Sequence, residues 1–334
     1  MDEHQAVRRG CGLIDRSERG KLALTGPQPA EFLNGQVTNE VIALGPGEGL
    51  YAAFLTHKGK MLGDVRVLAP PAGAQDAPGE LLLDTERSSL QALFDMIRRF
   101  NVGFDVQLHK RTLERGLLSL LGPGSEEVAG AEGLGEREHS SRAGEIEGIG
   151  FLAIRTDTGI DLLCAAHATQ DLLQALCARG AQRVSEEAAE CVRIERGRPR
   201  FGVDLDETVI PQEAGLNERA VSFTKGCYVG QETVARLYYK GRPNRHLRGL
   251  LLSAPADAGE ELRMEDRVVG QLTSVARSPR LGPIGLSLLR REAQPGAQLQ
   301  VGRHGVRGEV VELPFPDTPR KPAAAQRERA PQAR

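Results

Sequence analysis

Two apolar runs, residues 50–55 and 65–68, flank a polar break at Lys58-Gly59, and this pattern predicts a β-hairpin over residues 50–68 with a further strand at 80–83. The period then changes. Leu90, Leu93, Phe94 and Ile97 recur at i, i+3, i+4 and i+7, which predicts a helix behind a cap at Asp84 or Thr85. A strand at 103–108 follows. The same order returns later: strands at 150–155 and 160–164 around a turn at 157–159, then a helix over 169–179 closed by Gly180. From Arg248 onward, short β-like runs at 249–253, 268–274, 285–289 and 308–313 alternate with Gly/Pro turns, the spacing of a small antiparallel barrel. The predicted class is therefore α+β. Two related α+β units occupy residues 1–116 and 117–240, a C-terminal antiparallel β-barrel occupies 241–318, and 319–334 is a disordered tail. Residues 123–148, rich in Gly, Glu and Ala, read as loops around a short helix and carry no assigned chemistry.

Length agrees with this division, because 334 residues exceed what one core usually organises. The net charge of −2, from 43 basic and 45 acidic residues, provides no global field toward nucleic acid or membrane. Neither an apolar leader nor a stretch approaching about 20 apolar residues is present, and the expectation is a cytoplasmic protein. Cys11, Cys164, Cys177, Cys191 and Cys227 are scattered, with no CxxC or His/Cys spacing for zinc or an iron–sulfur cluster.

Three features carry candidate chemistry. Residues 225–232 read Lys-Gly-Cys-Tyr-Val-Gly-Gln-Glu, placing Cys227 between two glycines, beside Lys225 and before a helix predicted to open near Gln231. Both the cation and the free N–H groups of a helix start favour a thiolate; a cysteine buried beside a turn is the alternative. In a predicted helix over 185–196, Ala188, Cys191 and Val192 share a stripe whose next position is Glu195. A carboxylate on an apolar face needs donors, either from Arg198 or Arg200 or from a ligand with two adjacent N–H groups. Finally, Tyr228, Tyr238 and Tyr239 lie among Arg236, Lys240, Arg242 and Arg245, a combination suited to an anionic chain with flat rings, or to a solvated linker.

Taken together, these residues resemble the folate-binding YgfZ proteins, relatives of the glycine-cleavage T-protein (aminomethyltransferase), over most of the chain. The octapeptide is similar to the YgfZ signature with its cysteine, whereas the related T-protein segment lacks that thiol. Arg193-Ile-Glu-Arg-Gly-Arg-Pro-Arg-Phe-Gly202, with Asp204 and Pro211-Gln-Glu213, resembles the preceding stretch of both groups, and Phe32-Leu-Asn-Gly-Gln-Val-Thr38 resembles an early element. The resemblance implies tetrahydrofolate as cofactor, bound between the α+β units and the barrel. Its pterin would lie on Glu195 and its tail near Arg236 and Arg242, with Phe54, Tyr228 and Gln231 completing the set. It also implies support of iron–sulfur enzymes, with assembly proteins or client enzymes as partners, an indirect effect on tRNA modification, and Cys227 with Lys225 as a redox or sulfur-relay centre. Residues 59–64 correspond to the T-protein segment that carries two adjacent aspartates. Here the pair is Gly63-Asp64, so one acid is missing, which counts against aminomethyl transfer and leaves Asp64 as a folate contact. A folate-dependent one-carbon transferase and, third, an RNA-binding module remain as alternatives.

Overall fold

The predicted hairpin forms from strands Glu48–Leu55 and Met61–Ala69. They begin a five-stranded antiparallel sheet that continues through Leu81–Thr85, Gly20–Thr25 and Gln107–Lys110. The computed structural model describes residues 2–72 and 79–316, so the expected tail at 319–334 lies outside the described residues. Helix Leu90–Phe100 buries Leu93, Met96 and Ile97 against this sheet. Its N-cap position is Ser89, without a side-chain capping bond. The expected caps end the preceding strand instead, where Arg19 and Arg66 hold the Asp84 carboxylate and Thr85 donates to the Asp64 carbonyl.

The second sheet has six strands in the order Gln182–Arg183, Gly12–Asp15, Arg115–Leu121, Gly159–Ala165, Ile149–Arg155 and Ser141–Ile146. Helix Thr169–Ala178 covers it with Leu172, Leu173 and Leu176. The strand expected at 103–108 runs instead from Gln107 to Lys110 in the first sheet, and two features of the second sheet also depart from the sequence reading. Gly12–Asp15 joins this second sheet, antiparallel to Arg115–Leu121 and parallel to Gln182–Arg183, although it lies within the first 116 residues. Ser141–Ile146 adds an edge strand within the stretch read as loops around a short helix, which is Ser125–Ala129. The two sheets meet where Ala23, Leu68 and Leu82 pack on Leu117, Leu152, Ile154 and Leu163.

The C-terminal region is a seven-stranded antiparallel sheet, ordered Arg267–Gln271, Glu261–Met264, Gln298–Val301, Val306–Val311, Arg245–Leu252, Gly282–Arg290 and Ser274–Ser278. Helix Glu186–Glu195 joins it to the second unit. Ser185 caps this helix by accepting from the Ala188 N–H, and Ile194 packs on Leu247, Ile284 and Leu286. Residues 201–234, which carry the octapeptide, return to the hairpin, with Leu205, Val209, Tyr228 and Val234 packed on Leu55 and Met61. Among the described residues no helix is long and apolar enough to cross a membrane.

Candidate functional site

Strand Met61–Ala69 is apolar except at Asp64 and Arg66, two residues apart and hence on one face. In register, Tyr51 and Asp84 stand opposite Arg66 on the neighbouring strands, so the same face gathers a phenol, two carboxylates and a guanidinium. This face looks toward the second unit across a cavity of about 230 Å³, whose far wall includes Glu138, Asp157, Asp161 and Val192. An outer cavity of about 470 Å³ shares Tyr51, Glu138, His139, Arg198 and Arg219 and extends to Arg137.

Most of these charges are matched. Arg66 bridges Asp84 at 2.6 Å and Asp161 at 2.7 Å, and Arg19 pairs with Asp84 and Glu86. Burial favours protonation of Asp84, but Arg19 and Arg66 outweigh it and hold the carboxyl below its ordinary value. Arg219 pairs with Glu138 and lies 4.4 Å over the Tyr51 ring. Asp64 differs. It is 5% exposed, and its carboxylate accepts a 2.6 Å hydrogen bond from the Tyr51 hydroxyl. Burial raises its pKa to about 6; the Tyr51 bond opposes this shift without cancelling it. His139 is 6% exposed and stacks on Tyr51, and neither ring nitrogen has a hydrogen-bond partner. Burial, then Arg66 and Arg219, hold its pKa well below the ordinary value, so the imidazole is neutral. The site thus offers a flat stacking surface, hydrogen-bonding groups along one wall and a buried carboxyl that exchanges a proton near neutrality.

Of the residues singled out in the sequence, Asp64 lines this cavity, as do Arg198 and Arg200, which were expected to serve Glu195. Glu195 faces a neighbouring cavity of about 560 Å³, which meets the first at residues 156–158 and Val192. Its donors are Ser278 and, at 3.5 Å, Arg280. The expected Arg198 and Arg200 are engaged by Asp157 and by Glu186 with Glu190. Phe54 is fully buried in the hydrophobic core, and Tyr228 is buried in another cluster, so neither ring is free to stack on a ligand. Arg236 and Arg242 are exposed, and Gln231 is the first residue of helix Gln231–Lys240. Cys227 is exposed, away from the described cavities. Lys225 does not serve the thiol as expected: its ammonium donates to the carbonyls of Asn34, Val37 and Asn39, and burial lowers its pKa to about 8. Sequence reasoning missed Tyr51, Glu138, His139, Asp157 and Arg219, which only the fold brings together. The one available signal was Asp64-Val-Arg66, two charges on one face of an otherwise apolar strand.

Residues 1–225 match the GCVT N-terminal domain and residues 245–317 match the glycine cleavage T-protein C-terminal barrel domain. The chain belongs to the glycine cleavage T-protein family. It is 30% identical over 340 residues to the aminomethyltransferase of Streptomyces coelicolor, covering 94% of this chain and 88% of that one. A chloroplastic protein of Arabidopsis thaliana, named only provisionally as a transferase, is 29% identical, with 93% of this chain and 72% of that one covered. The crystal structure of the glycine cleavage system aminomethyltransferase T from Bartonella henselae has the same fold, with a TM-score of 0.82 at 24% identity over 95% of this chain and 89% of that one.

Proposed function

We propose that this protein binds tetrahydrofolate or a close derivative in the Asp64 cavity and transfers a one-carbon, aminomethyl-type group there. The observation that carries this reading is the buried Asp64–Tyr51 pair, with its carboxyl poised near pKa 6. Such a group accepts a proton from an amine as that amine gains a bond to carbon and can return it afterwards. The inner cavity suits a compact bicyclic head beside Tyr51 and Arg219, with Glu138 and Asp157 as acceptors for its N–H groups; the outer cavity suits a tail, with Arg137 near its carboxylates. The second acid of the T-protein pair has no room here, because a Cβ on Gly63 would lie 2.5 Å from the Phe54 ring and 2.7 Å from Ser89. Asp64 therefore acts without it. Calorimetry with tetrahydrofolate, followed by single turnover with an aminomethyl donor, tests the reading. Wild type is expected to bind and turn over, while Asp64→Asn binds but loses about 100-fold or more in rate. Failure of the folded wild type to bind tetrahydrofolate sinks the folate reading.

A second reading rests on the exposed Cys227: a folate-binding accessory protein of YgfZ type that supports iron–sulfur enzymes through this thiol. Binding without turnover favours it. In a strain deleted for this protein, Cys227→Ser is then expected to fail in restoring cluster-enzyme activity; full rescue rejects the thiol role.

A further inference from the structure

At the junction of the N-terminal helix Glu3–Arg9, helix Glu186–Glu195 and the barrel, three potential metal ligands converge. Cys191 and Glu195 are four residues apart on one helical face, and His4 reaches them from the other helix. His4 Nε2 lies 3.7 Å from Glu195 Oε1, Cys191 Sγ lies 4.0 Å from the same oxygen, and all three ligand atoms fall within 4.8 Å of one another. A tetrahedral zinc shell with ordinary bond lengths sets its ligand atoms roughly 3.3–3.7 Å apart, so the two distances to Glu195 Oε1 match or slightly exceed a filled site, and His4 and Cys191, within 4.8 Å of each other, close in by up to about 1 Å when the ion binds.

A second observation points to a ligand. His4 is 8% exposed, and its Nε2, directed at Glu195, has no hydrogen-bond partner. A buried imidazole nitrogen left this way is costly unless something occupies its lone pair or takes its proton. We propose that His4, Cys191 and Glu195 form a binding site for a thiophilic divalent cation, Zn²⁺ by its chemistry, with the fourth position open to water. The donor set suits this assignment: one soft thiolate, one imidazole and one carboxylate, all acceptable to zinc, with three protein ligands leaving one position free. Ser278 donates to the ligand oxygen Oε1, and Arg280 sits on Oε2, so the carboxylate is oriented by outer partners. The Arg280 charge opposes a cation, and the two negative ligands must outweigh it.

Burial, reinforced by Glu195, pushes the Cys191 thiol up to about 12, so in the absence of metal it stays protonated. As the metal–sulfur bond forms, that proton leaves to solvent and no redox partner is required. A surface cavity reaches His4, but Arg8, Arg9 and Arg280 line it, so an entering cation passes three guanidinium groups and loading is slow at low salt. The site is separate from the Asp64 cavity and does not depend on the folate reading.

Cobalt substitution tests the proposal on the full chain after removal of bound metal by a chelator. Wild type is expected to bind one Co²⁺ with a sulfur-to-cobalt charge-transfer band and the intense visible bands of a four-coordinate ion, and to release it to Zn²⁺. Cys191→Ser, verified as folded by circular dichroism, loses the charge-transfer band; His4→Ala and Glu195→Gln weaken binding about ten-fold or more. Cys227→Ser, the exposed-thiol control, keeps the wild-type spectrum. Absence of a stoichiometric charge-transfer band in folded wild type overturns the proposal. So does a band that survives Cys191→Ser and disappears in Cys227→Ser.

Discussion

Asp64 loses its hydration to burial and keeps one hydrogen bond, from Tyr51, so its charged form is disfavoured. Its folded pKa, about 6, lies above the ordinary 3.8. The contribution of the protonated group to stability is fully present below the unfolded value and is lost as pH rises through about 6. Asp64→Asn, which keeps an acceptor for Tyr51, should therefore gain about 1–3 kcal/mol more at about pH 7.5 than at about pH 4, read by urea unfolding at both. The same ionisation should govern transfer: with the carboxylate as base, single-turnover rates rise with pH and level off above an apparent pKa near 6. A profile flat from about pH 5 to 8 counts against Asp64 as the base. In the sequence this residue was reached through the resemblance to the T-protein aspartate segment, not through its place in an apolar strand. Its partner Tyr51 was not reached: thirteen residues away, it is placed at Asp64 by the hairpin register and no periodicity announces it. For Glu195 the helical stripe pointed inward and the residue is partly buried, but its donors lie on a barrel strand and turn some 80 residues on, beyond any local pattern.

The octapeptide acts as an element fastened at two points. Lys225 ties it to the carbonyls of Asn34, Val37 and Asn39, and Gly230, at φ 83°, touches the hairpin turn so closely that a Cβ would lie 2.5 Å from the Thr56 carbonyl oxygen. Lys225→Met leaves those carbonyls without their shared donor and should cost about 1–3 kcal/mol in denaturant unfolding. Gly230→Ala adds both a strained backbone and a collision; it should destabilise by a similar or larger amount and increase proteolysis between residues 222 and 232. Unchanged unfolding midpoints for both variants would show that the segment is not anchored in this way. Sequence reasoning recognised the helix start near Gln231; of the two glycines, Gly230 packs against the hairpin turn, whereas Gly226 has open space where a Cβ would stand. The same reasoning assigned Lys225 to the thiol because they are neighbours in sequence, whereas the ammonium satisfies carbonyls nearly 190 residues away. Ser141–Ile146 escaped for a different reason: as an edge strand with Arg142 and Glu145 exposed, it lacks apolar alternation.

At the level of the whole molecule, the two α+β sheets meet in an apolar contact and share a buried cation, Arg66, held between Asp84 of the first sheet and Asp161 of the second. Arg66→Met removes the shared cation, leaving Asp84 with Arg19 and Asp161 with the Ser119 hydroxyl alone, and should cost about 3 kcal/mol. Calorimetry should then show a lower Tm, with Asp84→Asn or Asp161→Asn recovering part of the loss; additive effects without recovery would reject the bridge. The repeated strand and helix order revealed two units and the short runs revealed the barrel, because both are local patterns. Strand Gly12–Asp15 was assigned by position in the chain to the unit it does not join, since pairing partners are chosen by three-dimensional closure. That placement bears on how the protein is made. Strand Gly12–Asp15 finds its place only when Arg115–Leu121 and then Gln182–Arg183 have emerged from the ribosome, so an apolar Gly-Leu-Ile segment waits while about 170 further residues are made. Truncation after residue 116 therefore yields a fragment carrying an orphaned strand, and the region from residue 12 to residue 183 matures as one stitched loop.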